Sequence, residues 1–294
     1  MTPRYAPLPH LGCIEVRGPA AAAFLHAQLS RALDPPEPGK APLAAWHDAR
    51  GRVRALFRVV RLAERWLLFT ERDVLESTLA RLRMFVLRAA VTLNATDDWR
   101  LAAVVGADDT WLAAQGVPAP SGTETLVTVG ALHWIHSGEG LWHAIGAAQA
   151  LDACTRSLER VQPELAALAE IRLGIPTISP PLVEKFVPQM LNLDLLGAVA
   201  FDKGCYPGQE VIARVRNLGS VKRRMRRYAA ASSAVPASGR EVVNAEGIAV
   251  GEVVRAAPGV ELLAVVDHAA ADGAFFCAGA PLRELPLPYA IPRD

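Results

Sequence analysis

Apolar and polar residues alternate along "LGCIEVRG" (residues 11–18), the period of a strand. Gly18-Pro19 then opens "PAAAAFLHAQLSRAL". Here Leu25, Leu29 and Leu33 recur four apart beside Phe24, predicting one helix through residue 33. "DPPEPGKAP" is a loop, because its prolines deny both ladder and helix. "LAAWHDARGRVRALFRVVRL" predicts two strands around Asp48-Ala-Arg-Gly51, and "RWLLFTE" a third. "ERDVLESTLARLRMF" places Leu75, Leu79 and Leu82 on one helical face.

A similar order of elements then recurs. "RLAAVVG" is strand-like, "ADDTWLAAQG" a short helix, "ETLVTVGALHWIHSGEGLWHAIG" two or three strands, and "AAQALDACTRSLERV" a helix. Two such lobes predict an α+β architecture with helices packed on mixed sheets. "PELAALAEIRLGIP" adds a helix that stops near Gly174. Beyond the basic run near residue 222, short β-branched runs and regular turns predict a small barrel. The expected domains are therefore 1–224, holding the two lobes, and 225–294, a C-terminal β-barrel.

Composition narrows the function classes. The chain has 294 residues, half of them hydrophobic, and a net charge of +1. That is enough for sizeable cores, and it gives no overall field for a polyanion or an anionic membrane. No apolar run approaches the ~20 residues of a spanning helix. The first ten residues lack a secretory pattern, so a cytoplasmic location is expected. GxGxxG, GxxxxGK[ST], GxSxG and HExxH are all missing from the sequence. His133 and His136 of "HWIH" point to opposite faces of a strand, so no metal site is expected there. Arg214, Arg216, Lys222, Arg223, Arg224, Arg226 and Arg227 form a run without one acid. They could grip phosphates, or simply be a solvated face. Without interleaved aromatics, direct nucleic-acid binding is not expected.

The four cysteines, Cys13, Cys154, Cys205 and Cys277, lie far apart. Three have apolar or small neighbours, where cysteine behaves as a small hydrophobe. Cys205 alone has polar company, in "FDKGCYPGQEVIAR" (residues 201–214). Lys203 and the N-terminus of a helix beginning near Glu210, with Val211, Val215 and Leu218 at helical spacing, would both favour its thiolate. Gln209 and Glu210 could orient a neighbour, or Glu210 could pair with Arg214. On chemistry alone a reactive Cys205 and a structural turn both remain open.

"KGCYPGQE", followed by "ARVRNLG" and "KRRM", closely resembles the signature of the YgfZ family of folate-binding proteins. These are relatives of the glycine-cleavage T-protein and of mitochondrial iron–sulfur assembly factors. "GPAAAAFLHAQLS", "DARGRVRALFR", "EIRLGIPTI", "KFVPQMLNLDLLGAVAFDKGCYPGQE" and "LPLPYAIP" continue the resemblance along essentially the whole chain. It implies two interleaved ferredoxin-like α/β lobes plus a C-terminal β-barrel, arranged around a central channel. It implies a bound folate (tetrahydrofolate or a one-carbon derivative) and a role in assembling or repairing iron–sulfur enzymes, including those that methylthiolate tRNA. Iron–sulfur enzymes or assembly proteins would be its partners.

Carried over residue by residue, Cys205, Lys203 and Glu210 are the implied catalytic groups. Asp202, Gly204, Tyr206, Gly208 and Gln209 complete the loop. Gln28, Arg172, Gln189, Asn192, Asp194 and Arg214 are the candidate folate contacts. Leu11 and Ala166 stand where some relatives carry folate-stacking tryptophans. Where T-protein carries an aspartate–aromatic pair, this chain has Cys205-Tyr206, which argues against ordinary aminomethyl transfer. Whether the protein turns over as a folate-dependent one-carbon transferase stays open. An aminomethyltransferase, or a tRNA-binding or protein-interaction module without catalysis, are the alternatives.

Overall fold

The computed structural model describes residues 2–218, 221–231, 234–259, 261–267 and 273–292. In chain order the first elements are β1 (Arg4–Pro7), β2 (Leu11–Arg17), α1 (Ala21–Gln28), β3 (Leu43–His47), β4 (Val53–Leu62), β5 (Arg65–Glu71), α2 (Arg72–Arg83) and β6 (Thr92–Thr96). Next come β7 (Arg100–Val105), α3 (Asp109–Ala114), β8 (Leu126–Val129), β9 (Leu132–Gly138), β10 (Leu141–Gly146), α4 (Ala148–Thr155), β11 (Glu159–Arg160) and α5 (Pro163–Arg172). Two 3-10 turns, Pro180–Leu182 and Pro188–Leu191, precede α6 (Gln209–Leu218). The chain ends in β12 (Arg223–Ala230), β13 (Glu241–Val243), β14 (Ala249–Ala257), β15 (Glu261–Asp267), β16 (Phe275–Cys277) and β17 (Ala280–Leu285).

The strands form a five-stranded sheet β3-β4-β5-β2-β6, a six-stranded sheet β11-β1-β7-β10-β9-β8, and a closed barrel β12-β15-β14-β13-β16-β17. Interleaving is visible in β1. It leads the chain yet pairs antiparallel with β7 and parallel with β11 in the second sheet. Its "RYAP" is too short to show a period, so pattern alone does not predict it. Helix α2 follows its apolar stripe, burying Leu75, Leu79 and Leu82. Trp134 and Trp142 are buried in the second lobe among Leu112, Val117 and Leu151. The barrel core is Tyr228, Val242, Val253, Leu262 and Phe275. No helix among the described residues is long and apolar enough to cross a membrane.

Two compact units divide the chain. One comprises Met1–Ala27, Ala32–Ala44 and Phe57–Ala169; the other comprises Gln28–Arg31, Ala45–Leu56 and Glu170–Asp294. The chief departure from the sequence pattern falls at one boundary of this division. The helix predicted to reach Leu33 stops at Gln28, because Ser30 is claimed by other partners. Its N–H donates to Ala45 O at 2.8 Å, and its hydroxyl donates to Ala198 O at 2.6 Å while accepting from Ala45 N–H. Leu29 bridges Trp46 instead of continuing the helix. Long-range hydrogen bonds outweigh the weak local preference for helix. Every residue from Phe201 to Gly208 lies in the second unit.

Candidate functional site

The loop from Phe201 to Gly208 is held from three sides. The Lys203 ammonium donates to Leu29 O at 2.6 Å and Arg31 O at 3.1 Å, and lies 4.9 Å from the Tyr206 ring centroid. Gln209 Nε2 donates back to Lys203 O at 3.1 Å. Gly208 packs on the β3–β4 turn at Gly51. That turn is itself fixed by Asp48, whose carboxylate accepts the Arg50 and Arg52 N–H groups at 2.9 and 2.8 Å. Segment 28–31 is tied down in turn, since Ala200 N–H donates to Ser30 O and Arg31 to Gly197 O. These anchors leave Cys205 exposed at the loop's outer side, the one exposed thiol of the four. Cys13 and Cys277 are buried, while Cys154 is half-buried and directs its Sγ to Gln115 Oε1 at 3.6 Å.

Beneath the thiol the loop turns polar groups inward. Burial pushes the Lys203 amine down to about 8 and the Tyr206 phenol up to about 12. His47, unmarked by the sequence reading, faces Tyr206 with ring centroids 6.0 Å apart. It is fully buried, and that burial, with the Lys203 charge, pushes its imidazole down to about 3. His47 is therefore neutral at physiological pH. Among the described residues, both its ring nitrogens, the Tyr206 hydroxyl and Gln28 Oε1 are buried without a hydrogen-bond partner. The antiparallel Leu29–Trp46 bridge sets Gln28 across from His47. The signal that could have found His47 is a lone polar residue closing the apolar strand "LAAWH".

The remaining carried-over residues have more varied places. Glu210 and Arg214 are exposed on α6, and Glu210 sits in its first turn, where a carboxylate complements the helix dipole. Asp202 and Gly204 are exposed on the loop itself, and a Cβ on Gly204 would meet open space. Gln189 and Asn192 are buried, donating to Ile212 O at 2.8 Å and to Met225 O at 2.7 Å. Asp194 forms a two-pronged pair with buried Arg224, at 2.7 and 3.0 Å. Together these three tie the turn Pro188–Leu191 to α6 and β12, forming the base on which the loop stands. Arg172 donates to Glu261 at 2.7 Å, yet its side chain stays 55% exposed.

Much of the basic run is neutralised inside the unit. Arg224 pairs with Asp194, Arg226 with Glu284 and Arg227 with Glu261. Two guanidiniums on Glu261 hold its carboxyl below the usual range. Arg216 stacks over Phe201, 4.1 Å from the ring centroid. His133 and His136, in the other unit, bond Thr128 Oγ1 and Gly122 O, each at 2.9 Å. Among the described residues no group of three or more His, Cys, Asp or Glu side chains could hold a metal ion.

No family model matches the chain. Curated relatives do. The chain is 28% identical over 221 residues to the tRNA-modifying protein YgfZ of Colwellia psychrerythraea, covering 74% of this chain and 68% of that one. To the tRNA-modifying protein YgfZ of Klebsiella pneumoniae it is 29% identical over 234 residues, 77% of this chain and 72% of that one. Among solved structures, glycine cleavage system aminomethyltransferase T from Bartonella henselae matches with a TM-score of 0.80. That match covers 98% of this chain and 86% of the other at 17% identity, a likeness of fold. In sequence the chain is similar to the tRNA-modifying protein YgfZ, and in fold it is similar to aminomethyltransferase T.

Proposed function

We propose that this protein is a folate-binding accessory factor supporting the assembly or repair of iron–sulfur enzymes, including those that methylthiolate tRNA. Cys205 is its working thiol. The observation that carries this reading is an exposed cysteine on a loop whose flanking residues Lys203, Tyr206 and Gly208 are each pinned. A surface turn with a merely structural cysteine has no need of three anchors. Similarity to proteins named for tRNA modification supports the client class.

Tetrahydrofolate or a one-carbon derivative is the proposed cofactor, and it would supply an activated one-carbon unit. Its pterin carries N–H donors, and the orphaned Gln28 Oε1 is an acceptor of the matching kind. Half-exposed Arg172 and exposed Arg214 are cations available to its carboxylates. Gln189, Asn192 and Asp194 act one layer further back, holding the loop rather than touching ligand. Lys203 keeps the thiol's loop against segment 28–31, and neutral His47 packs behind it without adding charge.

Titration calorimetry with tetrahydrofolate is the decisive experiment. Saturable heat that weakens in Gln28→Ala supports the reading, and absence of heat overturns the folate part. Cys205→Ala should fold normally yet fail to rescue a strain lacking the gene; full rescue would overturn the thiol's role. The whole-chain fold match favours one second reading, an aminomethyltransferase. It requires methylenetetrahydrofolate to form from an aminomethylated lipoyl protein, and no turnover with competent partners excludes it.

A further inference from the structure

Helix α2 satisfies its core with Val74, Leu75, Thr78, Leu79 and Leu82, all buried. The chain then leaves the helix through successive tight turns. Met84 N–H donates to Arg81 O at 3.1 Å, Phe85 N–H to Leu82 O at 3.0 Å and Ala89 N–H to Val86 O at 2.8 Å. Those turns present Met84, Phe85 and Leu87 outward, 73%, 45% and 88% exposed. Single exposed apolar residues are ordinary, but three within four positions form a patch.

The patch is displayed by a pinned backbone. Arg83 donates to Leu93 O at 2.7 Å and to Asn94 Oδ1 at 3.1 Å. Ala20 N–H donates to Ala90 O at 3.3 Å, and Gly18 approaches so closely that a Cβ there would lie 2.2 Å from that oxygen. Leu87 also takes a left-handed backbone, φ +46°, which a leucine adopts only at a cost. A strained and bare leucine gains little from the rest of the chain.

Charge says what covers it. Arg83 and Arg88 are exposed around the patch, and no Asp or Glu occurs between residues 77 and 96. A second copy in a symmetric contact would set this arginine rim against itself. We propose that the turn 84–88 is a docking surface for a partner protein's apolar segment flanked by carboxylates. Leu87 and Met84 act as its anchors and Arg83 and Arg88 as its steering rim.

The test uses the full chain, labelled for amide NMR. One probe is a synthetic peptide with leucines at helical spacing separated by glutamates; the other replaces each glutamate with lysine. The acidic peptide should shift amides 84–90, more weakly as salt rises, and the lysine peptide should not. Leu87→Gly relieves the backbone strain, so the melting temperature should hold or rise while affinity falls roughly tenfold. No shift at 84–90, or equal binding of both peptides, overturns the proposal. So does binding to phosphatidylglycerol vesicles without binding to peptide, or a dimer in the ultracentrifuge that Leu87→Gly dissolves.

Discussion

Gly208 lies so close to Gly51 that a Cβ on Gly208 would fall 2.5 Å from the Gly51 Cα and 2.6 Å from Asp48 O. The start of α6 is thereby seated on the β3–β4 turn, three residues beyond Cys205. Gly208 also has φ +78°, so alanine there meets both backbone strain and backbone contact. Gly208→Ala should cost roughly 2–4 kcal/mol in urea unfolding. Gly204→Ala, facing open space, should cost less than about 1 kcal/mol. Equal effects at the two glycines would contradict the docking role.

Thiol chemistry should follow exposure. Burial pushes Cys13 up to about 12 and raises Cys154 and Cys277 as well. Iodoacetamide should therefore label Cys205 first in the native protein, with the other three labelled only on unfolding. Peptide mass mapping against time reads the order directly, and early labelling of Cys13 would refute it.

His47 makes stability sensitive to acid. Its folded value of about 3 lies below the ordinary 6.5, so the unfolded chain binds more protons between those values. Stability is then fully present above pH 6.5 and is lost as pH falls toward 3, by on the order of 4 kcal/mol. His47→Phe should flatten that part of the pH–stability curve. It also removes two orphaned nitrogens, so at pH 7 the variant should unfold no more easily than the parent.

Lys203 shifts the alkaline side. Its folded value of about 8 lies below 10.5, so the folded state bears a penalty that fades as pH rises from 8 to 10.5. Stability of the parent should climb across that window, and Lys203→Met should abolish the climb. At neutral pH the same variant leaves Leu29 O and Arg31 O without their ammonium donor. Faster protease cleavage within residues 201–208 is the expected readout.

Arg224 and Asp194 form a buried pair, with side chains 5% and 16% exposed. Arg224→Met strands the carboxylate and should cost about 3–5 kcal/mol. Pairing it with Asp194→Leu should recover much of that loss. A double variant as unstable as the summed singles would mean the pair is not coupled.

Local pattern made most elements readable. The strand at 11–17, the stripe of α2 and the turn at Asp48–Gly51 follow from periods of 2 and 3.6 and from glycine. The loop around Cys205 was legible because Lys203, Gln209 and Glu210 gather about a cysteine beside the Pro207-Gly208 turn. The end of α1 was not, because Ser30 answers to Ala45 and Ala198 rather than to its sequence neighbours. His47 was missed for a similar reason. Only the fold reveals that a strand-ending histidine is sealed beneath Tyr206.

The basic run shows where sequence stops. Composition there displays seven cations without an acid, and local reading leaves them as a polyanion grip or a solvated face. The fold gives Arg224, Arg226 and Arg227 to acids 30, 58 and 34 positions away. The sequence by itself determined most of the strands and helices, the turns, and the polar loop that carries Cys205. Tertiary structure alone decided which charges are already spent, which polar atoms are sealed without partners, and which thiol meets solvent. Backbone period and turn chemistry act over a few residues, whereas burial and charge pairing depend on segments the chain brings together from afar.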